Sequence, residues 1–415
     1  MSRVLLFQVF FISILLLLIL FEFIIYKRWS KRIVQKRYKK IFSWTYWFIA
    51  IFSKLGFILF LFSRNRLYIE IQGFLKPIYY FLLSWNYAFF FSFLFWIICF
   101  SFLYILYYIF SKIKDQSYDK QNPSSISRKA FLTTSAAIIL DSTPFLAAGM
   151  NFSGMYLGSK DFVVFSKKIK IDDLPSAFSG FRIVQISDIH IGSLINEAYL
   201  KPTLEMILSL KPDIIVVTGD ILDNSRLYLS TVGWYFRKLN EIAPVYAILG
   251  NHDHIDLPLY LVNTLQQTNT TVLVNQYSEI KRGKHSLNII GLDYPIKHFE
   301  TKKTRSQFTE EYFESVYKNL PKKDQITIVL NHHPAEFEIL KKKPIHLVLA
   351  GHTHGGQIIL SENRESSLSL ASNFLKYYVD LYTENGVHLY VNRGLGHWFP
   401  LRINCPPEIT LIELY

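Results

Sequence analysis

A chain of 415 residues that is 50% hydrophobic and 16% aromatic is longer than one small domain and more apolar than an ordinary soluble enzyme. Its two cysteines, Cys99 and Cys405, exclude a disulfide framework and leave the redox compartment open. The formal net charge of +13 raises nucleic acid as a partner, but eight basic residues lie within 27–40, where positive charge at the cytoplasmic edge of a bilayer explains them, so no nucleic-acid partner is expected.

Residues 4–26 read as an apolar run of Leu, Ile and Phe, long enough as a helix to cross a hydrocarbon core of ~30 Å. The basic cluster KRWSKRIVQKRYKK follows it, and no small-residue cleavage site does, so the run reads as a permanent anchor and not a signal peptide. Residues 42–62 form a second candidate span, weakened by Lys54. Residues 78–110 form a third, which at 1.5 Å per residue is about 50 Å of helix, fitting a tilted span or a pair that borrows from 66–77. The expectation is an all-α transmembrane anchor over 1–110 with three to five spans in all. A transporter or channel is disfavoured, because pathways through a bilayer show more ionisable residues.

Residues 111–150 read as a basic, Pro-containing linker (KIKDQSYDKQNPSSISRK) followed by a weak apolar segment that Asp141 and Pro144 interrupt. If that segment spans, the second half is extracytoplasmic; if it lies on the surface, the second half is cytoplasmic. SRKAFL (127–132) resembles a twin-arginine export signal with Lys129 in the place of the second arginine, which favours an integral membrane protein with an extracytoplasmic domain.

From 151 to 415 the composition is that of one globular α/β unit. Short β-branched runs, FRIVQIS, DIIVVTG, APVYAIL, LNIIGL, ITIVLN, IHLVLAG, VHLYVN and ITLIEL, alternate with helix-like stretches such as 198–210 and 229–242. Continuous apolar strands between helices predict a sheet covered on both faces, with its site at the carboxyl ends of the strands. Those ends carry Asp188 and His190, Asp220 and Asp223, Asn251, His252 and Asp253, His332 and His333, and His352 and His354. This oxygen and imidazole set without thiolate suits Mn²⁺, Fe or Zn²⁺. On an extended segment residues two apart point the same way, so His352 and His354 are expected to reach two adjacent ions, with the following glycines leaving room for a phosphate. His254, His285, His298, His346 and His388 read as surface or packing residues.

The ordered set D-x-H, G-D-x-x-D, G-N-H-D, H and G-H-x-H over about 180–360 resembles the calcineurin-like metallophosphoesterase superfamily. RGLGHWFPLRINCPPEI (393–409) resembles the close of its bacterial membrane-associated branch, which holds cell-wall phosphodiesterases and a UDP-diacylglucosamine pyrophosphatase of lipid A synthesis. The resemblance implies a four-layer sandwich of two mixed sheets flanked by helices. It also implies two divalent ions, most suitably Mn²⁺, with Asp188, His190 and His354 on one, Asn251, His332 and His352 on the other, and Asp220 shared. A hydroxide between the ions would cleave a phosphodiester or pyrophosphate, with a lipid- or envelope-associated phosphate ester as substrate and UDP-2,3-diacylglucosamine as an alternative. His252 would donate to the phosphoryl oxygen or leaving group, oriented by Asp253, while Asp223 would fix a ligand's tautomer. Spacing before Pro334 favours His332 over His333, and Arg393 and His397 are placed either against substrate phosphate or in a structural role. The partners expected are the phosphate ester and the bilayer, with no obligate protein partner. A non-catalytic receptor or scaffold on the same fold is the competing reading.

Overall fold

The computed structural model describes residues 16, 19–31, 33–64 and 161–415, the last range without 193, 224–225, 256–257, 322–324, 364–365, 370 and 398–401. The chain divides into two compact units, Met1–Ser153 and Gly154–Tyr415.

In the first unit, residues 19–31 are helical and a second helix spans Lys36–Arg64. Tyr26, Phe42, Tyr46 and Trp47 pack together between them. Lys54, which weakens the second candidate span, is paired at 2.6 Å with Glu22 of the first, a charge inside the apolar run. Among the described residues no helix is long and apolar enough to cross a membrane. Most of the first expected span (4–15 and 17–18), the side chains of 49, 52–53 and 55–62 in the second, and the whole of 78–110 and 130–150 lie outside the described residues.

The second unit contains β1 (Val163–Ile169), β2 (Phe181–Ile186), β3 (Ile214–Thr218), β4 (Val245–Ile248), β5 (Thr271–Val272), β6 (Gln276–Arg282), β7 (His285–Gly291), β8 (Thr327–Leu330), β9 (Leu347–Ala350), β10 (Ile359–Asn363), β11 (Ser366–Ser369), β12 (Asp380–Glu384), β13 (Val387–Val391) and β14 (Glu408–Leu414). One six-stranded sheet runs β1-β14-β2-β3-β4-β5 and the other β12-β13-β9-β8-β7-β6, with β10 and β11 as a separate hairpin. Both sheets are mixed: β2, β3 and β4 are parallel, as are β7, β8, β9 and β13, while β14 is antiparallel to β2 and β6 to β7.

Alternation along the strands builds the layers, because successive side chains leave opposite faces. Ile214 and Val216 of β3 join Ile328 and Leu330 of β8 in the core between the sheets. Ile215 and Val217 turn the other way, onto Leu200 and Ile207 of helix Glu197–Ser209 and Val232 and Phe236 of helix Leu229–Ile242. On the far side Val329 and Val348 meet Phe313 of helix Arg305–Tyr317 and Phe337 of helix Phe337–Leu340. The result is the expected order of helix, sheet, sheet, helix. Because both faces are covered, the central strands read as unbroken apolar runs. Gln185 of β2 ties the sheets together, its Nε2 donating to Thr218 Oγ1 of β3 at 3.1 Å and to the Ala350 carbonyl of β9 at 2.9 Å.

Candidate metal centre

The strand ends that the sequence singles out meet at one edge where the two sheets adjoin. The loop after β2 lies along the loop after β3: the backbone N–H of Asp188 donates to the Gly219 carbonyl at 2.9 Å and that of His190 to the Asp220 carbonyl at 3.0 Å. The loop after β9 joins them through the His352 N–H, 2.9 and 3.0 Å from the two oxygens of the Asp188 carboxylate. Asp188, His190, Asp220, His352 and His354 all have positive φ, between 49° and 71°. Non-glycine residues enter this region at a cost of roughly 1–3 kcal/mol each, and such residues cluster where side chains must be aimed. The i, i+2 spacing therefore works through left-handed turns and not through the extended backbone expected from the sequence.

The donors fall into two groups. Asp188, His190 and His354 form one, with His190 Nε2 3.2 Å from His354 Nε2 and His354 Nε2 3.5 Å from Asp188 Oδ1. Asp220, His332 and His352 form the other, with His332 Nε2 3.3 Å from Asp220 Oδ2 and 3.2 Å from both His352 Nδ1 and Asn251 Oδ1. Asp220 Oδ2 also lies 3.8 Å from His190 Nε2, so this carboxylate touches both groups. Its Oδ1 accepts from the backbone N–H of His252 at 2.9 Å, which holds it in place.

The charge states suit a cation. Burial pushes His190 down to about 4 and holds His352 and His354 well below the usual imidazole range, so these rings are neutral and carry a lone pair at neutral pH. The two Nε2 atoms of His190 and His354 at 3.2 Å can share one proton as an N–H···N contact, and a divalent ion would displace that proton and be held by both lone pairs. Burial alone would raise the Asp220 carboxyl, but His332, His190 and His252 outweigh it and keep it ionised. Burial likewise disfavours a charged His332, yet Asp220 and Asp188 push this imidazole up to about 10: with protein groups alone, a proton supplies the positive charge that the carboxylates demand. His332 Nδ1 donates to the Thr218 carbonyl at 2.7 Å, which fixes the ring so that Nε2 faces the cluster. His333 points elsewhere, with Nδ1 accepting from the Ala335 N–H and lying 3.2 Å from Glu336, so His332 is the member of the pair at the centre.

Two further sequence expectations change. Asp253 does not orient His252: its carboxylate accepts from the backbone N–H groups of Gly250, Ile221 and Leu222 at 2.8–2.9 Å, clamping the β3 and β4 loops together. His252 Nδ1 instead lies 3.8 Å from Asp223, and that carboxylate with Asp220 outweighs burial and raises the imidazole. His252 also closes a third group with His190 and Asp220. Second, the glycines after His354 make room for protein. A Cβ on Gly355 would fall 2.8 Å from Cys405 Sγ, and one on Gly356 2.4 Å from Ser369 Oγ. For Arg393 and His397, left between substrate contact and a structural role, the structure gives packing: Arg393 is buried beside Glu408 at 3.4 Å and over the Phe165 ring, and His397 is buried with its ring 5.8 Å from that of Tyr199.

Sequence reading missed Arg402. Its buried guanidinium donates to the carbonyls of Arg393, Gly394 and Cys405 at 3.0 Å and lies 3.4 Å from His354 Nδ1, binding the C-terminal segment to the centre. A single arginine in a tail carries no spacing signal that would have marked it.

The two aspartates separate by experiment. Asp253→Asn puts an amide N–H among backbone donors and is expected to cost about 2–3 kcal/mol of stability, read as a lowered Tm. Asp223→Asn is expected to leave stability within about 0.5 kcal/mol of the parent and to shift the alkaline limb of the pH–rate profile to lower pH, because the lost carboxylate no longer raises His252, the expected proton donor.

Comparison with known proteins places the centre in context. The family model of the Calcineurin-like phosphoesterases matches residues 181–356, which include every donor named above. The metallophosphoesterase YkuE of Bacillus subtilis is 34% identical over 59% of this chain and 83% of its own length. Phosphodiesterase YaeI of Escherichia coli is 27% identical over 70% of this chain and 99% of its own. UDP-2,3-diacylglucosamine pyrophosphatase LpxG of Chlamydia muridarum is 28% identical over 58% of this chain and 86% of its own.

Proposed function

The chain belongs to the calcineurin-like phosphoesterase family and is a metal-dependent phosphoester hydrolase; from that premise we propose that it is a membrane-anchored enzyme opening a phosphodiester or pyrophosphate bond of a lipid- or envelope-associated substrate. The observation that carries this reading is the convergence of seven donors into two groups that share Asp220. Asp188, His190 and His354 would hold one divalent ion, Asn251, His332 and His352 the other, and Asp220 both. Manganese suits a set of imidazoles, carboxylates and one amide oxygen, with zinc and iron as the alternatives that metal analysis distinguishes. Such ions, when bound, acidify water and neutralise charge on a phosphoryl group.

The chain's own residues position and protonate. His252 stands at the rim, half-buried; burial lowers its imidazole but Asp223 and Asp220 outweigh it and raise it, which favours the protonated form that would donate to a phosphoryl or leaving-group oxygen. The covered sheets hold water away from the floor, where Asp188 and His190 are buried. A bulk base is not needed when positioning and fixed charge lower the barrier.

The lipid-associated substrate rests on two supports: apolar runs over 1–110 that suit an anchor, and the likeness to LpxG, whose name states a UDP-2,3-diacylglucosamine substrate. We place the anchor at 1–110, a linker at 111–150 and the catalytic domain at 151–415, on the extracytoplasmic side. Protease access in intact cells tests the sidedness.

The decisive experiment is metal analysis of the purified full chain together with hydrolysis of an aryl phosphodiester, an aryl phosphomonoester and UDP-2,3-diacylglucosamine. Two ions per chain are expected, with chelation abolishing hydrolysis and Mn²⁺ restoring it, and with the monoester slower than the diester by about tenfold or more. Metal binding without hydrolysis of any of the three would overturn the enzymatic reading in favour of a scaffold.

A further inference from the structure

The edge that carries the metal centre is also where the catalytic unit exposes its large apolar side chains. Among the described residues of this unit, Leu227, Ile255, Leu259, Tyr260, Phe299 and Phe374 are 52–86% exposed. Topology sets all six at one edge. Leu227 follows β3 just before helix Leu229–Ile242; Ile255, Leu259 and Tyr260 follow β4 at the start of helix Pro258–Gln266; Phe299 follows β7 before helix Arg305–Tyr317. These are the carboxyl ends of parallel strands, the ends that bear Asp220 and Asn251. Phe374 precedes β12, whose first residue Asp380 pairs with Val391 at the carboxyl end of β13, a strand parallel to β9. By contrast, exposed Leu208 ends helix Glu197–Ser209, and Tyr415 follows Leu414, which pairs with Phe181 at the start of β2; both mark the opposite edge.

Fold stability does not account for this asymmetry, since exposed apolar residues scatter singly over an ordinary surface and a concentration on one functional edge marks an interface. The charges between the tips indicate what the interface meets. Arg226, Lys297 and Lys302 are exposed on the same loops, against Glu300 as the exposed acid there among the described residues. Apolar tips with cations behind them match a bilayer whose headgroups are anionic.

We propose that the catalytic unit seats this edge on an anionic bilayer, with the six apolar tips in the headgroup and upper acyl region and the metal centre opening toward the lipid headgroups. This goes beyond anchoring by the N-terminal half, because it gives the hydrolase unit its own membrane contact and fixes which edge faces the lipid. It also supplies a physical route for a substrate that never leaves the bilayer: the scissile phosphate lies at headgroup depth, level with the centre, while its acyl chains stay among the tips.

The test uses the full chain reconstituted into vesicles of phosphatidylethanolamine and phosphatidylglycerol. Leu259→Cys and Phe374→Cys are labelled with a fluorophore sensitive to polarity, with Leu208→Cys at the opposite edge as control and the label taken up by the parent chain subtracted. Lipids carrying a shallow nitroxide are expected to quench the Leu259 and Phe374 labels about threefold or more beyond the Leu208 label, and replacing phosphatidylglycerol by phosphatidylcholine is expected to weaken that difference. Equal quenching at all three positions overturns the proposal. This readout needs no turnover, so it fails independently of the proposed hydrolysis.

Discussion

Asp220→Asn is expected to lower kcat/KM for phosphoester hydrolysis by about a thousandfold, from the loss of one unit charge worth about 4 kcal/mol per partner charge at ~4 Å in an effective dielectric of ~20. The change is isosteric. The amide oxygen of an asparagine can still accept from the His252 N–H that now reaches Asp220 Oδ1 at 2.9 Å, so the β4 loop keeps its place. What changes is the other side of the group: an NH₂ replaces the oxygen that lies 3.3 Å from His332 Nε2 and 3.8 Å from His190 Nε2. A donor then faces two ligand nitrogens, and the anion between two cation sites is gone. Metal content should therefore fall together with rate, from two ions per chain to one or none, while far-ultraviolet circular dichroism is unchanged. Hydrolysis at the parental rate, with both ions retained, would remove Asp220 from the centre and with it the assignment of the shared ligand.

The centre was legible in the sequence because each donor sits at the end of a buried apolar strand, and such strands announce themselves. FRIVQIS, DIIVVTG, APVYAIL, ITIVLN and IHLVLAG lie on β2, β3, β4, β8 and β9, and the residues after them converge. Among the strands that escaped, β6 (QYSEIKR) and β12 (DLYTE) form sheet edges, where one face needs no apolar residues, and β1 (VVFSKKI) carries Lys167 and Lys168 near its end. The placement of β14 between β1 and β2 was also hidden, since no local pattern encodes which strands pair across more than 200 residues. Within the site, residue type marked the donors but not their supports. Asp223 and Asp253 both follow strands and both look able to orient an imidazole. Which one does depends on loop geometry: Asp253 is claimed by three backbone N–H groups, and Asp223 is left beside His252. Arg393 drew notice as a cation in a family-like tail, whereas Arg402, nine residues on, is the one that reaches His354.

Gly351→Ala is expected to cost about a hundredfold in activity although it removes no ligand. A Cβ at this position would fall 1.9 Å from Ser187 Oγ and 2.2 Å from Asp188 Oδ2, so something must move. Ser187 is fully buried and its Oγ already donates to the Thr218 carbonyl, which leaves it little room. Asp188 is held from the other side by the His352 N–H, one residue past the substitution, so the new methyl group would push on the carboxylate and on the loop that carries its hydrogen bond. Both effects separate Asp188 from His354, its neighbour at 3.5 Å. A displacement of about 1 Å at a reacting centre costs on the order of a hundredfold in rate, and overpacking of this kind costs about 1–3 kcal/mol of stability. The expected result is therefore a kcat/KM reduced by about a hundredfold with a weakened site for one ion and normal occupancy of the other. Titration of the apo-protein with Mn²⁺, read calorimetrically, separates this from general unfolding: two binding steps with only one shifted support the argument. Gly250→Ala supplies the matching control on the shared ligand, because its Cβ would fall 2.1 Å from Asp220 Oδ1 and should weaken both steps. If Gly351→Ala binds both ions and turns over as the parent does, the packing of the β9 loop against Asp188 does not set the geometry of the centre.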